Sequence, residues 1–159
     1  MTLKGLDELD RHILYTLQSD ARHASSKEIA ERMDVSASTV RKRIQRLEDK
    51  GIIASYRAEI DFERAGYQLR VQIVCTAPIT DRDELADRAM EVPGVLSVRE
   101  LAVGEENLLV SVVATDNDDL TRIASELSEL GLGVSDEQLI RGERFGPYRG
   151  FGGETEGTE

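Results

Sequence analysis

The feature that most constrains this chain is a change in the period of its apolar residues near Gly51. Before it, apolar side chains recur every three or four residues, the spacing that lines one face of a helix. Beyond it most runs alternate residue by residue, the spacing of a half-buried strand. One segment cannot satisfy both periods, so the chain must build a helical piece first and a mixed piece afterwards. The helical piece holds three elements. Leu9, Ile13, Leu14 and Leu17 share a face behind Asp7, a residue type that caps helices. Ile29, Ala30 and Met33 follow Ser25 or Ser26, and Val40, Ile44 and Leu47 repeat at i, i+4, i+7 behind Ser36. Asp34 takes the turn between the second and third helices, where a short polar side chain tolerates left-handed backbone, and Gly51 stops the third.

Residues 52–60 alternate apolar and polar, which predicts a strand serving as a wing or as the connection onward, with a hinge at Glu63 to Gly66. A repeat in the order of elements follows. Leu69, Val71, Ile73 and Cys75 alternate as a strand, Leu85, Ala86, Ala89 and Met90 mark a helix, and the turn Val92-Pro93-Gly94 opens a strand over 95–103. The second unit has a strand over 108–114, a helix capped by Asp116 or Asn117, and a last strand over 132–140. Two tandem βαβ units predict a ferredoxin-like βαββαβ sandwich, a four-stranded antiparallel sheet with both helices on one face. The fold class is therefore α+β, a winged helix-turn-helix followed by a ferredoxin-like domain. Its parts are a helix-turn-helix over 1–53, a wing or linker strand over 54–66, the βαββαβ domain over 67–141 and a Gly-rich tail over 142–159. The uncovered sheet face takes Val74, Val98, and Val110 or Val113 depending on register, and a second copy of the chain is the natural cover. The tail is expected to be irregular, with Phe145, Tyr148 and Phe151 as incidental aromatics or as contacts to a neighbour.

Charge separates the two pieces further. The formal net charge is -11, yet residues 1–50 carry ten Lys/Arg against nine Asp/Glu, a net of +1, and hold all four lysines. The remainder carries ten arginines against twenty-two acids, a net of -12, an acidic balance resembling that of proteins from high-salt cytoplasms. Within the third helix and its end, 41–50, five cations face two anions. With the apolar stripe turned inward, Ser38, Lys42, Gln45 and Arg46 point outward, and Thr39, Arg41 and Arg43 flank them. Phosphates attract such charge and release counterions, while Ser, Thr, Gln and Arg reach base edges in a major groove. Ser36 sits at the helix N-terminus, where unsatisfied N–H groups favour a phosphate. A basic face also suits a merely solvated helix, and Arg43, beside the stripe, equally suits an internal ion pair. Three short helices, the four-residue turn and a local charge opposed to the global one together favour double-stranded DNA as partner. The lone Cys75 reads as a core residue, and His12 and His23 as helix-surface or loop residues. No metal site, cofactor or catalytic set is therefore expected. No apolar run approaches the roughly 20 residues of a membrane span, and residues 1–10 lack a secretory pattern, so a cytoplasmic location is expected.

Four stretches resemble the Lrp/AsnC, or feast/famine, family of regulators: Leu6 to Arg22, Lys27 to Ile53, the turn Val92 to Val95, and Val103 to Asn107. The likeness spans about residues 3–141 and is strongest in the first half. It implies transcription regulation by a winged helix-turn-helix, a βαββαβ effector and oligomerisation domain, homodimers or higher homo-oligomers, and amino acids as usual effectors. It places DNA contacts at Ser36, Ser38, Thr39, Lys42, Arg43 and Arg46. The effector turn falls at Gly104-Glu105-Glu106-Asn107, where the family's aromatic is missing and one carboxylate has become an amide. Gly104, Glu105 and Asn107 are the candidate effector residues, with Glu105 to pair an ammonium group and Asn107 to hydrogen-bond the ligand; a plain hairpin turn explains the same residues. Two alternatives accompany this reading. One is an enzyme like the siroheme decarboxylases, which resemble the family in both domains; the other is an effector-binding assembly module that no longer reads DNA.

Overall fold

The computed structural model describes residues 5–152. They form two compact units: one made by residues 5–58 together with 144–152, the other by Glu59–Glu143.

The first unit contains α1 (Glu8–Asp20), α2 (Ser26–Met33) and α3 (Ala37–Asp49). Each starts on a side chain that satisfies an N–H left over at the helix end. Asp7 accepts from the Asp10 N–H at 2.9 Å, and Asp10 accepts from the Asp7 N–H at 3.2 Å, a reciprocal capping box. Ser25 accepts from the Glu28 N–H at 3.1 Å, and Ser36 from the Thr39 N–H at 3.1 Å. Asp34 ends α2 in left-handed backbone with φ 54°, as a non-glycine residue can when its side chain is short and polar. Gly51, at φ 69°, turns the chain out of α3 and lets the N–H groups of Ile52 and Ile53 close on the Leu47 carbonyl at 2.9 and 3.1 Å. The three helices bury Leu9, Ile13, Leu14, Ile29, Ala30, Val40 and Leu47 in one small core.

The strand expected over 52–60 is absent. A strand exists by exchanging backbone hydrogen bonds with a neighbour, and no sheet segment lies beside these residues, which are exposed except for a half-buried Ile53. The expected hinge is a closed turn instead. Ala65, Gly66 and Tyr67 donate to the carbonyls of Asp61, Glu63 and Phe62 at 2.8–3.1 Å, and Asp61 caps the Arg64 N–H at 3.0 Å.

The second unit runs β1 (Leu69–Thr76), α4 (Arg82–Met90), β2 (Val95–Glu100), β3 (Leu108–Ala114), α5 (Asn117–Glu129) and β4 (Gly133–Leu139). Its sheet is antiparallel with order β2-β3-β1-β4. Ile73 pairs with Val110 and Val71 with Val112, so these residues share the face on which Leu85, Ala86, Ala89, Ile123 and Leu127 of the two helices pack. Register corrects the expectation for the other face: Val110, and Val98 opposite it, belong to the helix-covered side. The open side takes Val74, Leu109 and Val113 among Arg70, Gln72, Ser111 and Gln138, and Gln72 donates to Gln138 at 3.0 Å. It is half polar rather than a continuous apolar sheet. The Gly-rich segment is irregular over 141–148, as expected, but residues 144–152 belong to the first unit and include a short 3₁₀ turn at Arg149–Phe151; the tail residues from 153 on lie outside those described.

Gly94 marks the tightest point of the βαββαβ core. It has φ 103°, and a Cβ there would lie 2.6 Å from Cδ1 of Ile123 and 3.0 Å from the Val113 carbonyl oxygen. Gly94→Ala combines backbone strain with overpacking and is expected to destabilise this unit by about 2–4 kcal/mol. Urea unfolding followed on the second unit measures it, and an unchanged midpoint would refute the packing argument.

Candidate nucleic-acid interface

The interface is built on α3, and its geometry starts from what the helix buries. Val40 and Leu47 are fully enclosed by the other two helices and Ile44 is half-buried, so at about 100° per residue the opposite side must face water. Ser38, Arg41, Lys42, Gln45 and Arg46 are all exposed on it, and Thr39 is half-buried at its edge. Among the described residues, neither Lys42 nor Arg46 forms an ion pair; Arg41 forms none either. Gln45 donates its amide to Asp49 at 2.9 Å, a contact along the helix surface that competes weakly with other partners.

Arg43 stands apart from this set. Its guanidinium turns back to α1 and ion-pairs with Asp7 and, at 3.2 Å, with Asp10. Asp10 is only 2% exposed, so its carboxylate needs that cation. The position that the sequence offered both as a DNA contact and as an internal partner is occupied as an internal partner. Ser36 caps α3, as its position in the sequence suggested. Its oxygen accepts the Thr39 N–H and lies 2.8 Å from Thr39 Oγ1 and 3.2 Å from Ser38 Oγ, which makes a hydroxyl cluster at the mouth of the helix. There the first-turn N–H groups and three hydroxyls meet, an arrangement that favours an anion.

The candidate effector turn is divided. Gly104, at φ 102°, and Glu105 are exposed, whereas Asn107 is 3% exposed. Its amide is used up by one backbone residue: Ala77 N–H donates to Asn107 Oδ1 at 2.9 Å and Asn107 Nδ2 donates to the Ala77 carbonyl at 2.8 Å. Asn107 is a brace between the end of β1 and the start of β3, not a group free to bind a ligand. Sequence reasoning missed this because nothing local marks a contact across thirty residues. It likewise gave no sign of Asp7 and Asp10 as partners of Arg43, although their capping role was legible.

Cys75 is buried, and burial pushes its thiol up to about 11. His23 is exposed on Asp20 at 2.8 Å, and His12 is half-buried within α1. Among the described residues no cluster of His, Cys, Asp or Glu is suited to a metal, and no helix is long and apolar enough to cross a membrane.

Comparison with known proteins places the chain among DNA-binding regulators. Residues 6–54 match the model of the winged helix-turn-helix DNA-binding family. The chain is 35% identical over 122 residues to the HTH-type transcriptional regulator LrpA of Pyrococcus horikoshii, which covers 76% of this chain and 84% of that protein. It is 31% identical over 126 residues to the regulator AldR of Mycolicibacterium smegmatis, covering 77% of this chain and 72% of that one. Among solved structures, a transcriptional regulator of Neisseria meningitidis in complex with L-Met is similar at TM-score 0.71 and 29% identity, over 89% of this chain and 94% of that one. E. coli AsnC shares the fold at TM-score 0.71 and 19% identity, over 88% of this chain and 95% of that one.

The Arg43 pair has a measurable acid signature. The Asp10 N–H and the Arg43 guanidinium hold Asp7 below its ordinary value near 3.8. A depressed carboxylate contributes stability that is fully present above its unfolded value and lost as pH falls through the lower folded one. Arg43→Ala is expected to cost the first unit about 1–3 kcal/mol at pH 7, because it strands the buried Asp10. The gap between variant and parent should narrow below about pH 4. A thermal melt series from pH 7 to pH 2.5 checks this, and a gap independent of pH would contradict it.

Proposed function

This chain belongs to the Lrp/AsnC family of HTH-type transcriptional regulators, and from that premise we propose that α3 reads duplex DNA through its exposed cationic face. The protein is a DNA-binding transcriptional regulator. The observation that carries the finer reading is that Arg41, Lys42 and Arg46 remain exposed and without an ion-pair partner among the described residues, while Arg43 beside them is neutralised. Lys42 and Arg46 engage phosphates or base edges, Ser38, Thr39, Arg41 and Gln45 complete the contact surface, and Ser36 fixes the helix mouth from which N–H groups meet a phosphate. We assign Arg43 to positioning α3 rather than to DNA.

In this reading two copies join through the open sheet face around Val74, Leu109 and Val113 and place two α3 helices in successive major grooves. The acidic second unit repels the same phosphates, so a high internal salt level, which screens that repulsion, suits the design. The site of action is the cytoplasm, and the role is regulatory rather than catalytic, a reading supported by relatives that are named transcriptional regulators. The effector is an amino acid or related small molecule, a class supported by the similar regulator solved with L-Met. With Asn107 committed, Glu105 is the group we assign to the ligand's ammonium, and binding shifts the chain between assembly states.

Lys42→Ala and Arg46→Ala are each expected to weaken binding to the protein's own promoter. Where the lost contact was to a phosphate, the slope of log affinity against log salt becomes shallower by about 0.9. Unchanged affinity and slope in both variants, measured by gel shift across a salt series, would mean that another face binds. For the effector, sedimentation with a panel of amino acids that includes L-Met is expected to reveal one that changes assembly, with the change lost in Glu105→Gln. Identical sedimentation throughout would reject the effector assignment and leave the DNA assignment standing.

A further inference from the structure

The segment after β4 ends on the helices that open the chain. The backbone N–H of Tyr148 donates to Gln18 Oε1 at 3.1 Å. The 3₁₀ turn is closed by Phe151 N–H on the Tyr148 carbonyl at 3.1 Å and Gly152 N–H on the Arg149 carbonyl at 3.0 Å. Phe151 packs against the same core as Leu14 and Leu47, and the Tyr148 ring meets it edge to face with centroids 4.9 Å apart. A Cβ at Gly150 would lie 2.4–2.6 Å from the far end of the Tyr148 side chain, so a larger residue there displaces that ring from its edge-to-face contact with Phe151. Before it leaves the second unit, the segment is fixed there too. Ile140 N–H donates to the Arg70 carbonyl at 2.8 Å, and the Arg70 guanidinium pairs with Glu143 at 2.9 Å.

A three-helix unit of this size has little to spare. A domain of about 60 residues buries only about 60% of the surface its unfolded chain exposes, and a single added aromatic is a large fraction of such a core. We infer that residues 145–152 are an intramolecular strap that completes the DNA-reading unit, so that this unit is a discontinuous fold built from both ends of the chain and held by two chain connections rather than one. The strap lies on α1, at Tyr15 and Gln18, and shares a groove of about 390 Å³ with Leu17, Ala21 and Tyr56. It packs on α1 and, through Phe151, on the core that α1 and α3 share, and it leaves the Lys42 and Arg46 face exposed, which makes it a brace rather than a cover for the DNA surface.

The inference rests on the first unit being the DNA reader only for the name of what is braced; the test does not. Hydrogen exchange read by mass spectrometry on the full-length chain compares the parent with Phe151→Ala and Gly150→Val. Amides of α1 are expected to exchange about tenfold faster in both variants, with β1 and β3 unchanged, as for a local opening confined to one unit. Unaltered α1 protection in both variants would overturn the strap, as would a loss spread equally over β1 and β3. If the parent binds no promoter DNA, the regulatory reading falls while the exchange data still decide this one.

Discussion

The Arg43 guanidinium, set between the carboxylates of Asp7 and Asp10, is the interaction from which the rest of the reading head follows. Asp10 accepts the Asp7 N–H to start α1 and is almost fully enclosed, a position where an unpaired carboxylate would be costly. Arg43 supplies the charge it lacks and in doing so pins α3 to the start of α1. The contact agrees with the burial of Val40 and Leu47, which sets the rotation of α3 about its own axis. Lys42 and Arg46 are turned outward by the same rotation. One arginine is thus withdrawn from the surface so that its neighbours can be displayed.

That division of labour matters because the chain is strongly anionic. A protein with net charge -11 repels a polyanion at long range, and contact depends on a local cationic surface inside the screening length. The first unit keeps its own charge near balance by spending acids on caps and on Arg43. The acidic excess belongs to the second unit, whose fold rests on apolar register and on neutral braces such as Asn107 with Ala77. The cationic surface and the acidic excess therefore lie in different parts of the sequence.

Most of what was legible in the sequence was local. Asp7, Ser25, Ser36 and Asp116 cap because an N-cap acts within three residues, and Asp34 and Gly51 bend the chain through their own backbone freedom. Residues 52–60 show the reverse: their alternation was real, but a strand is a relation between two segments and no second segment lies beside them. Asn107 is another case. Its neighbours Gly104 and Glu105 are exposed as a ligand turn requires, yet the amide three residues from that glycine is spent on Ala77. The aromatics near the C-terminus gave no period at all, and Phe151 found its place on a core from the opposite end of the chain.

By itself, then, the amino-acid sequence determined the helices, their caps, the order of the βαββαβ elements and the sign of the charge on α3, because each depends on residues a few positions apart. Only the folded molecule decided which arginine of α3 is internal, which valines face the helices and what Tyr148 and Phe151 touch. Those outcomes depend on register and on partners tens of residues away. A single dihedral rotation or a one-residue slip reverses them without altering any local preference.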